Sequence, residues 1–300
     1  RGFARNTPIV ILVPPILGGD GQSGLTHTSM LAGPNEVHDA VLRRVGVVSV
    51  KEPQDLFNTA GVLDSKHHPR GPNLAIITNA GGVGIMATHR LLRSGGSLAE
   101  FAPETMKALQ SAMHPQWRSG NPVDVYRNAD VERYDRAIRI CMDDPGTDGI
   151  LVIFTPQEGA RSGDLARAIL SAAKDAQKII ITAWLGGREV REGQDILLAS
   201  GIPAYESAED AVRTYLYMWS YERNLQLLYE TPSELRLDEG PPKNHLKTLI
   251  RKVCNEGSYV LTEEESRKFR VHYGIPTIKT LTTHDLDAAA AVADEFGDPV

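Results

Sequence analysis

His27 stands between two threonines, Thr26 and Thr28, with Ser29 next in line, and it follows a glycine-rich run from Gly18 to Gly24. A neutral imidazole carries a ring-nitrogen lone pair at neutral pH, so histidine can act as a nucleophile toward a phosphoryl group. The glycines let backbone and ligand approach closely. A phosphorylated imidazole is a concentrated negative charge, and it needs helix N-termini or nests of backbone N–H groups nearby. Two stretches could supply them. Asn79-Ala80-Gly81-Gly82-Val83-Gly84 lies between a strand-like and a helix-like segment, where an anion-binding turn belongs. Its glycines Gly81, Gly82 and Gly84 and its Asn79 are candidate phosphate binders. The loop Thr155 to Gly163, "TPQEGARSG", also joins a strand to a helix, with Thr155 and Gln157 as candidates and Ser162 as the expected N-cap. Asn121 and Asp124 in "GNPVD" could hydrogen-bond across the same sheet edge. The plainer alternatives are ordinary strand–helix connections and, for "GNPVD", a turn with an Asx cap.

Other motifs carry less. Gly19-Asp20-Gly21-Gln22-Ser23-Gly24 matches G-x-G-x-x-G, which would make a dinucleotide-binding oxidoreductase. That fingerprint works when a helix opens at its third glycine. Here a helix starting at Gly24 meets Gly33 and Pro34 within about three turns, and the first strong helix signal begins near Asn35. His67-His68 sit in a polar break, with no further ligands at metal-site spacing, and no metal site is expected. His89 and His114 read as structural or solvated. Asp143-Asp144 and Glu263-Glu264-Glu265 read as solvated helix ends, the latter after Thr262 as N-cap.

The elements that must position these residues alternate. Pro8 to Val13 and "VVSV" (47–50) read as strands, "NEVHDAVLRRVG" and "PQDLFNTAGVL" as helices. A polar break follows, with a domain boundary near Gly71. Beyond it, "LAIIT", "GILVIF" and "KIIITAWLG" read as buried strands. Helices are expected from "PETMKALQSAM", from the segment ending "ICMDDP", from "GDLARAILSAAKDA" and from Ala208 to Tyr229. Strands separated by helices imply an α/β fold: parallel sheets with helices on both faces, flavodoxin-like or Rossmann-like. "LRLDEGPPKN" reads as a linker. Two helices follow it, and the final segment reads as a strand, a helix and the start of another strand. The chain reads as a middle piece of a longer protein.

Composition narrows the class. The 300 residues suffice for about two domains, and 41% hydrophobic residues with dispersed charge describe a globular protein. The net charge of −6, with no Lys/Arg run longer than two, argues against a nucleic-acid surface. No apolar run approaches the roughly 20 residues that span a bilayer, so no membrane partner is expected. Cys141 and Cys254 form no metal-ligand pattern and suggest a reducing, cytoplasmic setting.

In the order of its segments the chain resembles the NDP-forming acyl-CoA synthetases, the ADP-forming acetyl-CoA synthetase group related to succinyl-CoA synthetase. "THTSMLAGPNEVHDAVLRRVGVVSVKEPQDLF" is similar to that family's phosphohistidine segment. "NLAIITNAGGVGIMATHRL", then "GNPVDV" and "DGILVIFTPQ", resemble its second flavodoxin-like ligase domain. "LTEEESRKFRVHYGIPTIKTLTTHDLDAAAAVADEFGDPV" resembles the opening of an ATP-grasp domain. The resemblance implies three regions: 1–66, the C-terminal part of a succinyl-CoA ligase-like flavodoxin domain; 71–235, a second such domain; and 243–300, the start of an ATP-grasp domain. It implies an acyl-CoA ligase that makes an acid, ATP and CoA from acyl-CoA, ADP and phosphate, with His27 as phosphoryl carrier. CoA, ADP or ATP, and Mg2+ are the implied cofactors, and a small carboxylic acid such as acetate or propionate the implied partner. An oligomer is expected. The alternative, from relatives fused to an acetyltransferase, is a non-catalytic region that senses CoA or acyl-CoA.

Overall fold

A computed structural model of the chain describes residues 7–13, 35–63, 65, 67–117, 120–174, 176–229, 243–255, 257, 260–278, 280–283 and 285–296. Residues Arg1–Glu230 form one compact unit and Thr231–Val300 a second. His27, Thr28 and Ser29 lie outside the described residues, as do the glycines before them.

Three runs of consecutive apolar residues make the centre of the first unit. They are β3 (Asn73–Thr78), β6 (Gly149–Phe154) and β7 (Ile179–Trp184). Such runs carry no alternation because both faces of the sheet are covered. The period of two survives in the packing. Ala75, Ile77, Ile150, Val152, Phe154, Ile180 and Trp184 face one core, and Leu74, Ile76, Leu151, Ile153, Ile179, Ile181 and Ala183 face the other. The first core is closed by α4 (Pro103–Ala112), α5 (Val131–Asp143), α6 (Ser162–Ala173) and α7 (Arg191–Ala199). The second is closed by α3 (Gly81–Arg93) and α8 (Ala208–Tyr229).

All pairings in this sheet are parallel. The short β4 (Ser97–Leu98) and β5 (Val123–Asp124) both pair with β3, opposite its β6 side, and β8 (Ala204–Tyr205) closes the far edge. The order is β4-β3-β6-β7-β8. Counted from β3, that is 2-1-3-4-5, the flavodoxin-like order. The expectation of either a flavodoxin-like or a Rossmann-like sheet thus resolves to the former. A two-stranded parallel sheet, β1 (Val10–Leu12) with β2 (Val48–Val50), carries α1 (Asn35–Arg44) and α2 (Pro53–Ala60). Its Val48, Val50 and Leu63 pack on Tyr221 of α8. The 22-residue α8 therefore serves both sheets.

Two sequence expectations are corrected here. Asp144 is not a solvated helix end. It is fully buried, and its carboxylate accepts from Ala102 N (2.9 Å), Thr105 Oγ1 (2.7 Å), Gly146 N and Thr147 Oγ1 (both 3.0 Å). A buried carboxylate is stable when its lone pairs are filled in this way. The strand expected in "TIKTLTT" is not formed among the described residues. A strand exists only by pairing, and residues 243–296 supply no partner strand among those described. They form α9 (Lys243–Asn255), α10 (Glu263–His272) and α11 (Leu286–Phe296). Thr262 does cap α10, in a capping box with Glu265.

No helix among the described residues is long and apolar enough to cross a membrane. Tight packing singles out Gly149. A Cβ there would lie 2.4 Å from Tyr215 Cε2 and 3.0 Å from Ile179 Cγ2. The Tyr215 ring cannot swing away, since its hydroxyl donates to Gly71 O at 2.9 Å. Gly149→Ala is expected to cost about 1–3 kcal/mol, read as a lower urea midpoint at unchanged slope.

Candidate functional site

In an open parallel sheet, ligands bind beyond the carboxyl ends of the strands, where the strand order reverses. Here that point lies between β3 and β6. The chain leaves β3 through Asn79 and leaves β6 through Thr155, and the two residues lock together. Asn79 Nδ2 donates to Thr155 O at 2.8 Å, while Asn79 Oδ1 accepts from Thr155 N (3.0 Å) and Thr155 Oγ1 (3.1 Å). Gln157 Nε2 extends the chain by donating to Thr155 Oγ1 at 3.1 Å. Thr78, fully buried at the end of β3, accepts from Ala80 N at 3.0 Å through its hydroxyl and so shapes the turn into α3.

Both loops open into helices without a side-chain cap. Ala80 and Arg161 precede α3 and α6, and neither position makes a cap hydrogen bond, whereas Asp130 does cap α5. Ser162, expected as the N-cap of α6, is instead its first helical residue. The extended backbone of Arg161 (φ −88°, ψ 145°) and its carbonyl, which accepts from Leu165 N at 3.1 Å, place the cap one residue earlier. In α3 the first intrahelical bond runs from Gly84 N to Ala80 O at 3.1 Å. The N–H groups of Gly81, Gly82 and Val83 precede it and have no intrahelical acceptor.

The three glycines of this loop do different work. A Cβ at Gly82 would meet nothing within 4 Å among the described residues, which leave this side of the helix start open. A Cβ at Gly81 would lie 3.2 Å from Asp124 Oδ2, which places that carboxylate beside the first turn. Gly84 is not available to a ligand. It is buried, its N–H is used, and a Cβ there would lie 2.9 Å from Thr78 Cγ2. Its role is to let α3 close on β3. At α6 the corresponding space is taken, because a Cβ at Gly163 would lie 2.2 Å from Glu192 Oε1. Both helix starts have a carboxylate beside them, but at α3 Asp124 stands to the Gly81 side and the described residues leave the Gly82 side clear.

Asn121 and Asp124 do reach the β3 edge. Asn121 Oδ1 accepts from Ile76 N at 3.0 Å, and its Nδ2 donates to Leu74 O (2.9 Å) and Ala99 O (3.2 Å). This amide fills the gap between β4 and β5 and has no group left for a ligand. Asp124 Oδ1 accepts from Tyr126 N at 2.8 Å, an Asx turn, and leaves Oδ2 toward Gly81. Tyr134 was not singled out by the sequence. It is fully buried under the crossover, its hydroxyl donates to Ile153 O at 3.1 Å, and the Asn79 backbone bonds to it. Burial holds its phenol well above the ordinary tyrosine range. An aromatic at helical spacing gives no sign of such a role.

Asn79→Ala should remove the lock. Thr155 would keep a part-buried N–H and carbonyl with their partner gone, at about 1–3 kcal/mol. Urea denaturation checks this, and Asn79→Asp, which keeps the acceptor but not the donor, should fall between.

His68, His89, His114 and the two cysteines belong to neither crossover loop. His68 Nδ1 lies 3.0 Å from Glu222 Oε1 and ties the polar break to α8. His89 is exposed on α3, and His114 packs on Tyr126 with ring centroids 4.9 Å apart. Both cysteines are free. Burial, with the nearby Asp144 charge, pushes the Cys141 thiol up to about 12. Below that pH it stays a protonated, unreactive thiol. Iodoacetamide at pH 8 should therefore label exposed Cys254 and spare Cys141 in the native chain, as read by peptide mass spectrometry.

Comparison with known proteins bears on the family and the fold. The Ligase-CoA domain model matches residues 74–228, and the succinyl-CoA ligase like flavodoxin domain model matches residues 1–63. The acetate–CoA ligase [ADP-forming] I of Archaeoglobus fulgidus is 30% identical over all of this chain and 42% of its own length. The alpha subunit of acetate–CoA ligase [ADP-forming] I of Pyrococcus furiosus is 30% identical over 73% of this chain and 48% of its own. The chain thus spans less than half the length of these relatives. Acetyl-coenzyme A synthetase 1 of Ca. Korarchaeum cryptofilum, solved with phosphate and ADP, superposes with a TM-score of 0.64. At 21% identity, over 77% of this chain and 58% of that one, this likeness speaks for the fold.

Proposed function

Since the chain belongs to the Ligase-CoA domain family, matched over more than half its length, we propose that it is part of an NDP-forming acyl-CoA ligase with His27 as its phosphoryl carrier. The reaction runs in three steps. A phosphate oxygen attacks the thioester carbonyl of acyl-CoA, the C–S bond breaks, and CoA leaves as the thiol. A ring nitrogen of His27 attacks the phosphorus of the resulting acyl phosphate, and the carboxylate leaves with the P–O bond electrons. The phosphohistidine then passes its phosphoryl group to the terminal phosphate of ADP, which breaks the P–N bond and restores the ring.

The observation that carries this reading is the crossover itself. The Asn79–Thr155 lock holds a helix start whose Gly82 side is open. Preorganised N–H donors of that kind stabilise a transferring phosphoryl group without reorganising. In this reading Gly81, Gly82 and Val83 face the phosphoryl oxygens, and Asp124 Oδ2 accepts from the imidazole N–H. Asn79 and Thr155 are positioning residues.

CoA and nucleotide use follow from the same reading, as does a small acid substrate. The protein would act as an oligomer in the cytoplasm, with an ATP-grasp domain beginning in 243–300. Among the described residues no group of three or more His, Cys, Asp or Glu side chains could hold a metal ion. They offer no ligand set for the Mg2+ that would accompany the nucleotide. The sensing alternative is not favoured, because the relatives bear the names of ligases.

The test uses the full-length protein with terminally labelled ATP and Mg2+. Uptake of an acid-labile, base-stable protein phosphate, discharged by ADP, is the expected result. Failure to label under conditions where acetyl-CoA still binds would overturn the ligase reading in favour of sensing.

A further inference from the structure

A cavity of about 520 Å3 lies between α1 and β2 on one side and the end of α3 and α8 on the other. Its lining is unusual for a chain of net charge −6. Arg43, Lys51, Arg213 and Arg223 line it, against a single carboxylate, Asp39. Three of these five charges are already matched. Lys51 Nζ holds Asp39 at 2.9 and 3.0 Å, and Ser49 Oγ donates to the same carboxylate at 3.0 Å. Arg213 turns its guanidinium out of the cavity to Asp55, Asp210 and Glu52.

The two that remain are Arg43 and Arg223. Arg43 lies one helical turn from Asp39 and acts on its charge, but neither arginine forms an ion pair within 4 Å among the described residues, and both are exposed. Arg223 is held over the ring of Trp219, with its guanidinium carbon 5.7 Å from the centroid, so a cation is preorganised at the cavity wall. The hydroxyls of Ser94 and Ser220 lie on the same lining. The volume falls within the range of small-molecule sites, and a few polar groups on a partly apolar wall are their usual lining.

We propose that this cavity binds a small molecule carrying a diphosphate group, with Arg43 and Arg223 each taking phosphate oxygens. Guanidinium groups pair with phosphate through parallel N–H bonds, an arrangement that two arginines outside any ion pair among the described residues can supply. An orthophosphate would engage one of them and leave most of the cavity empty. The lining shares no residue with the crossover loops Asn79–Gly84 and Thr155–Gly163.

Calorimetric titration of the chain with inorganic pyrophosphate, and separately with ADP, both without metal, tests this. Binding is expected for the unchanged chain. Arg43→Gln and Arg223→Gln should each weaken it about tenfold. Exposed side chains of this kind leave folding intact, which circular dichroism verifies. Tighter binding of ADP than of pyrophosphate would identify a nucleotide as the source of the diphosphate, and equal binding the diphosphate alone; both support the site. No binding of either probe at millimolar concentration overturns the proposal. So does binding that is undiminished in both variants, because it would lie elsewhere. Phosphohistidine labelling does not involve these arginines, so the two readings fail separately.

Discussion

A full-length protein carrying His27→Ala is expected to take up no acid-labile phosphate from labelled ATP and to lose acyl-CoA ligase turnover by roughly a thousandfold or more, the scale on which removing a nucleophile acts. Three residues beside it, Thr26, Thr28 and Ser29, carry hydroxyls, but these lack a lone pair as nucleophilic as a neutral imidazole nitrogen at pH 7. They also give acid-stable phosphate esters, so the chemistry of any residual label distinguishes them. The same substitution should shift thermal stability by no more than about 0.5 kcal/mol, since a histidine in a glycine-rich loop buries little apolar surface. Label that survives the substitution sinks the relay through His27. A large fall in Tm would show instead a histidine that packs in a core.

The largest loss of stability is expected from Asp55. Its carboxylate is fully buried on α2 and receives Arg213 Nε at 2.7 Å and the Tyr217 hydroxyl at 3.1 Å, both from α8. The Arg213 side chain is 13% exposed and also reaches Asp210 and, at 3.3 Å, Glu52. Asp55→Ala leaves a largely desolvated guanidinium short of its main partner, and Arg213→Ala leaves a buried carboxylate. Breaking a pair like this costs about 3–5 kcal/mol. Replacing both partners, Asp55→Leu with Arg213→Met, should cost less than either single change, because no lone charge remains buried. Urea unfolding of the four proteins tests this order of stabilities. A loss below about 1 kcal/mol for Asp55→Ala would show that α8 holds the two-stranded sheet by its apolar contacts alone.

Much of the architecture was legible because long apolar runs and long amphipathic segments announce themselves. "GILVIF" became β6 and "IIITAW" β7, and the helix read from Ala208 to Tyr229 has those bounds. What escaped notice was short. β4, β5 and β8 have two residues each, too few for any period, and they exist by pairing with β3 and β7. The helix α7 was also missed. It is nine residues long and contains Gly193, where a Cβ would lie 2.5 Å from Trp184 Cζ3, so a residue that discourages helices locally is needed there for packing.

The candidate site divides along the same line. Residue type made His27 a candidate nucleophile, and strand–glycine–helix order made Asn79–Gly84 and Thr155–Gly163 candidate anion-binding turns. Those properties belong to single side chains and to neighbours in sequence. Only the tertiary structure set Asn79 on Thr155, 76 residues away, because that contact depends on which strands lie side by side. It also separated the roles of residues that look alike in sequence. Among the described residues Gly82 faces open space while Gly84 packs on Thr78, and Glu192 fills the start of α6 while at α3 Asp124 leaves the Gly82 side clear. Asn121, polar and beside a turn, spends its amide on the β3 edge. A buried group is fixed by whatever lies across from it, and what lies across is decided by the order of strands in the sheet, which no local stretch of sequence encodes.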